Sequence, residues 1–118
     1  GTSVTYTTTV AAAVNGGGTN SYYLTGGGFT NEEAPALTLD LGDTIVFNQD
    51  AASNAGHPIA IYTAEDKTGG AYTTGVTTAG TAGTATATVT FVPEETGTYY
   101  YQCTNHALMG NSITVTNN

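Results

Sequence analysis

Lysine occurs once in this chain, at Lys67, and arginine and tryptophan not at all; cysteine and methionine occur once each, as Cys103 and Met109. Nine acidic side chains against one cation give a formal net charge of -8. Binding to nucleic acid or to an anionic lipid surface rests on Lys and Arg neutralising negative charge, so neither is expected; the acidic field suits a basic partner instead. A single cysteine cannot close an intrachain disulfide, so no covalent framework holds the fold. No apolar run approaches the roughly 18 residues that span a bilayer, and membrane insertion is not expected. The chain starts at Gly1 with neither Met nor a charged and apolar leader, as a mature segment whose export signal has been removed would. The Thr-, Gly- and Asn-rich, Lys-poor composition suits such an exported protein, whether extracellular, cell-surface or periplasmic.

What is abundant is threonine, about a fifth of the chain, together with Gly and Ala. At 118 residues one core suffices, and residues 1–118 are expected to form a single domain. Alternation dominates: Val4, Tyr6, Thr8, Val10, Ala12 and Val14 share one face, with Thr5, Thr7 and Thr9 opposite. Asn15-Gly16-Gly17-Gly18 breaks this strand, and Ser21–Leu24 reads as another, ended by Gly26-Gly27-Gly28. Leu37, Leu39 and Leu41 alternate up to Gly42-Asp43, and Thr44–Asn48 follows, which predicts a hairpin. His57, Ile59 and Ile61 share a face of the next strand, with the imidazole at its rim. Residues 63–84 read as a long excursion with one weak strand near Tyr72, and the role of this segment is not legible. Ala87, Val89 and Phe91 mark a strand; Tyr99, Tyr101 and Cys103 share a face of another, and Ile113 and Val115 mark the last. Seven or eight short strands without helical periodicity predict an all-β, antiparallel β-sandwich.

The segment Cys103-Thr104-Asn105-His106-Ala107-Leu108-Met109 holds three of the four soft or imidazole donors in the chain, and His57 is the fourth. Singly, each has an ordinary alternative: a buried thiol, two solvated histidines, a core methionine. Jointly, a thiolate, two imidazoles and a thioether match the trigonal His-His-Cys set with a weak axial Met used by blue-copper electron-transfer sites. Zinc prefers four strong ligands, and only three are available.

Leu41-Gly42-Asp43-Thr44, His57, and the run from Phe91 through Gly97-Thr98-Tyr99-Tyr100-Tyr101-Gln102-Cys103-Thr104-Asn105-His106 to Met109 resemble the cupredoxins, the small blue-copper family. The Cys-x-x-His-x-x-Met spacing is similar to the short ligand loop of amicyanin. The resemblance implies a Greek-key sandwich and one copper ion, cycling between Cu(I) and Cu(II), held by His57, Cys103 and His106 with Met109 axial. It also implies an electron port at His106, bordered by Ala107 and Leu108. Two positions depart from the family pattern. Pro58 stands where an Asn N–H usually supports the Cys sulfur, and Asn105 stands where amicyanin has Pro, so that its N–H can serve the thiolate instead.

Two functions follow as expectations. The first is outer-sphere electron transfer with a redox partner protein. The second is a structural subunit of an extracellular filament, cell-surface array or virion, joined to copies of itself through the N-terminal strand, with copper a staple or absent. An enzyme is not expected, because two histidines leave no ligands for a further copper centre.

Overall fold

Threonine and β-branched or aromatic residues in alternation make the strands, and glycine or polar clusters end them. The computed structural model describes residues 1–118. Ten strands run in order: β1 (Ser3–Ala12), β2 (Asn20–Gly26), β3 (Phe29–Glu33), β4 (Leu37–Asp40), β5 (Thr44–Asn48), β6 (Ile59–Tyr62), β7 (Val76–Ala79), β8 (Thr88–Phe91), β9 (Gly97–Cys103) and β10 (Asn111–Thr116). One 3-10 turn, Ala52–Asn54, interrupts the connection from β5 to β6.

The strands form two sheets, ordered β3-β2-β1-β5-β8-β7 and β4-β10-β9-β6. The expected sandwich is present, but its sheets are mixed: β1 pairs with β5 in parallel, and β4 with β10 in parallel. Alternation reports which face a residue takes and not the direction of its neighbour, so the sequence could not reveal these pairs. Two strands also exceed the expected count. β3 is a polar edge strand with three of its five residues exposed, and β7 lies inside the Thr/Gly/Ala-rich excursion, so neither carries an apolar stripe.

The expected hairpin from Leu37 to Asn48 does not form, because β4 and β5 belong to different sheets. Gly42-Asp43 turns the chain at a corner, where Asp43 accepts hydrogen bonds from the N–H of Thr2 (2.7 Å) and of Asp40 (3.3 Å). The expectation of a weak strand near Tyr72 reduces to a single bridge, in which the Tyr72 N–H donates to the Ile61 carbonyl at 2.7 Å.

Seventeen buried residues form one cluster between the sheets, and Cys103 and Met109 belong to it. Phe47 and Tyr101 meet across the sheets with ring centroids 5.2 Å apart, and Phe91 and Tyr99 at 5.1 Å. These contacts anchor β9, whose last residue is Cys103. No helix is long and apolar enough to cross a membrane.

Candidate metal centre

β9 delivers Cys103 to one end of the sandwich, and β6 begins two residues after His57. The two strands are paired, with Ile59 opposite Cys103, and the Thr104 N–H continues the ladder by donating to the Pro58 carbonyl at 3.1 Å. This register sets His57 beside the thiol. His57 Nδ1 lies 3.8 Å from Cys103 Sγ and His106 Nδ1 lies 3.6 Å from it. A donor atom from each of the three residues falls within 4.8 Å of the others. Metal–nitrogen bonds of about 2.0 to 2.1 Å and metal–sulfur bonds of about 2.3 Å, at tetrahedral to trigonal angles, place N and S about 3.5 to 3.8 Å apart around a shared ion. The separations and the donor chemistry therefore fit one soft or borderline ion.

The three donors differ in exposure. Cys103 is fully buried, His57 is half-buried and His106 is exposed. Burial, and then the nearby His106 charge, hold the His57 pKa below its ordinary value, which favours the neutral ring that ligation requires. The imidazoles sit with centroids 4.5 Å apart. Met109, the fourth sequence candidate, is fully buried in the core at the far end of the same loop.

The Asn105 N–H points to Cys103 Sγ at 3.4 Å, so Asn105 supplies the support that Pro58 cannot. Asn105 Nδ2 also donates to the Gly56 carbonyl at 3.0 Å, tying the His57 segment to the Cys103 loop.

Four further side chains hold the site and were not singled out by their sequence positions. Gln49, 1% exposed, donates through Nε2 to the His57 carbonyl (2.8 Å) and to Asn54 Oδ1 (3.0 Å), and accepts from the Ile59 N–H (2.9 Å). Asn54 passes the network on, donating to the carbonyls of Thr8 (2.8 Å) and Ala51 (3.1 Å). The Tyr22 hydroxyl donates to the same His57 carbonyl at 2.7 Å; burial first, then the charge of Cys103, raise its pKa far above the ordinary phenol value, so it stays a donor. Gln102, the fourth, holds the Cys103–Gly110 loop. Their immediate neighbours carry no shared signal for such roles, since Gln49 follows Asn48, Asn54 follows Ser53 and Gln102 follows Tyr101.

The loop is tightly confined. A side chain at Gly110 would collide with the Tyr101 carbonyl, and one at Gly18 with the Ala107 carbonyl, so glycine is required at both close approaches. Leu108 adopts φ 59°, a left-handed conformation that costs a bulky residue about 1 to 2 kcal/mol. Its N–H donates to Asp66 Oδ1 at 3.1 Å. Leu108 is 48% exposed, and together with Ala107 it borders His106 with apolar surface.

No protein-family model matches the chain, and no curated protein matches it by sequence. Solved structures do match in fold. Rusticyanin from Thiobacillus ferrooxidans is similar at a TM-score of 0.53 with 20% identity, over 94% of this chain and 77% of that one. Reduced rusticyanin is similar at 0.50 with 23% identity, over 96% and 83%. A third rusticyanin structure, described as that of a copper protein, is similar at 0.52 with 20% identity, over 94% and 77%. The chain thus has a cupredoxin-type β-sandwich.

Proposed function

We propose that this cupredoxin-type fold is a mononuclear type 1 copper protein carrying electrons by outer-sphere transfer. His57, Cys103 and His106 are its strong ligands and Met109 its axial one. The observation that carries the reading is the convergence of both Nδ1 atoms on the buried Cys103 sulfur. A bound copper ion would supply a one-electron Cu(II)/Cu(I) couple.

The chain's residues account for the rest. Cys103, fully buried among the core residues, would present its sulfur to a bound ion on the side away from solvent. His106 is exposed on the same loop, so its ring edge gives a short path from the buried sulfur to the surface. The apolar rim of Ala107 and Leu108 lets a partner's surface approach without displacing strongly held water. A partner with a positive surface would be steered by the net charge of -8. The hydrogen bonds on the carbonyls of His57 and His106 limit how far the donors move between oxidation states. Both histidines are committed to this one centre, so the reading involves no bond-making catalysis. Export from the cytoplasm is part of the proposal and is supported by the Lys-poor, Thr-rich composition.

The test is redox cycling of the copper-loaded protein with ascorbate and ferricyanide. Reversible bleaching and return of an intense visible absorption, absent in Cys103→Ser, is expected. Copper that binds but cannot be cycled would refute the electron-transfer role.

A second, compatible reading is assembly with copies of itself, as in an extracellular filament, surface array or virion. β1, the strand expected to join a neighbour, pairs with β5 through Ser3–Thr7 and with β2 through Thr7–Ala12, so each half is strand-paired on one side. The observation favouring assembly lies elsewhere. Residues 68–93 carry no charged side chain, and they include the edge strand β7, with Thr77, Thr78 and Ala79 exposed. An uncharged sheet edge in a chain of charge -8 is where two copies repel least.

A further inference from the structure

Gln102 is the residue before Cys103 on β9, yet it points to the opposite face and is only 2% exposed. Its amide makes four hydrogen bonds, all to the backbone of residues 103–110. Nε2 donates to the carbonyls of His106 (2.6 Å) and Cys103 (3.2 Å), and Oε1 accepts from the N–H of Met109 (2.9 Å) and of Gly110 (3.1 Å). Two carbonyl partners on one side and two N–H partners on the other fix which amide atom is nitrogen. No other amino acid offers two donors and an acceptor of this reach in a neutral group.

Each partner belongs to a residue of the donor set or its neighbour. The Met109 carbonyl is held by the Tyr22 N–H at 3.0 Å, so both backbone polar groups of Met109 are fixed, one by each sheet. The His106 carbonyl takes a second donor from outside, Lys67 Nζ at 3.0 Å, and Lys67 pairs with Asp66 at 3.2 Å. Asp66 in turn holds the Leu108 N–H. The chain's one cation is thus committed to the loop backbone, and Asp66 and Lys67 of the long excursion act as an outer strap over the loop that Gln102 closes from beneath.

We propose that Gln102 is a positioning residue for the donor set: one buried amide that fixes His106 and Met109 relative to Cys103 before any metal arrives, with Asp66 and Lys67 as its external counterpart. Loop closure over the thiol is then a property of the polypeptide. The claim about loop closure is independent of the copper reading, and only its consequence for the metal rests on that reading.

The experiment compares wild type with Gln102→Leu, which removes all four bonds, and Gln102→Glu, which keeps the size and the acceptor side but loses the donors to Cys103 and His106. Tyr99→Phe is the control, since it loses one hydrogen bond to the Glu95 carbonyl at the far end of the same strand. In the copper-free protein, alkylation of Cys103 by iodoacetamide should be at least tenfold faster in either Gln102 variant than in Tyr99→Phe under native conditions. If Gln102→Leu does not fold, Gln102→Glu carries the comparison. Alkylation no faster than in the control would overturn the assignment. In copper-loaded samples the Gln102 variants should also show a changed ratio of visible bands, with Tyr99→Phe unchanged. A wild type that takes no copper would refute the metal reading while the alkylation rates still decide the role of Gln102.

Discussion

A buried thiol within 4 Å of two imidazole nitrogens is a costly arrangement to hold without well-satisfied surroundings, and the residues around Cys103 supply them. The His57 carbonyl receives donors from both Tyr22 and Gln49, and the two differ in what their loss leaves behind. Tyr22→Phe removes one of two donors to that carbonyl and should cost about 1 kcal/mol. Gln49→Leu also orphans the Ile59 N–H and Asn54 Oδ1, and should cost about 2 to 4 kcal/mol. Denaturant unfolding of the copper-free variants measures both, and equal costs would contradict the network. At this scale the sequence showed the donors themselves, because Cys, Met and His are so rare in it that their spacing stands out. It also pointed to the Asn105 N–H as the sulfur's support. Gln49, Asn54, Tyr22 and Gln102 stayed hidden: their roles depend on backbone groups brought near by tertiary structure, and an amide or phenol in a strand has many ordinary uses.

Among the elements, the β1–β2 connection is shaped by one carboxylate. Glu33, on the edge strand β3, accepts from the N–H groups of Val14 (2.9 Å), Asn15 (2.8 Å) and Gly16 (3.1 Å) and from Ser21 Oγ (2.8 Å). These donors, the Asn15 N–H foremost, lower its pKa from 4.5 to about 2. A carboxyl whose folded pKa is depressed stabilises the fold above its unfolded value, and this contribution is lost as pH falls. Stability from Glu33 should therefore be complete above about pH 5 and disappear between pH 4.5 and 2. Glu33→Gln should flatten that part of the stability profile, as followed by thermal unfolding across pH, and an unchanged profile would contradict the clamp. The clamped loop matters to the site because Gly17 and Gly18 approach Leu108 and Ala107. Strand faces were readable from alternation where an apolar stripe exists, as in β9 and β10, but not in β3 or β7, and Val14, expected on the apolar face of the first strand, lies beyond β1 and is 80% exposed. Pairing partners were not readable: Leu37–Asp40 and Thr44–Asn48 look like a hairpin in sequence, yet each finds its partner in a different sheet.

For the whole molecule, charge is unevenly spread along the chain, with none between Lys67 and Glu94. Of the four edge strands, β6 is covered by Tyr72, and β3 is broken by a register shift and carries Glu32 and Glu33. β4 ends in Asp40, whereas β7 has no such guard. If copies associate, β7 is the contact, and Thr78→Lys should abolish the association seen by sedimentation at high concentration. Association that survives the substitution would place the contact elsewhere.

The proposed arrangement of His57, Cys103, His106 and Met109 around one copper ion is tested most directly by titrating the purified, metal-free protein with Cu(II) while recording its visible absorption. One equivalent should produce an intense thiolate-to-copper band that saturates at a 1:1 ratio and is lost in Cys103→Ser. Saturation without such a band, or a band that survives loss of the thiol, would contradict it.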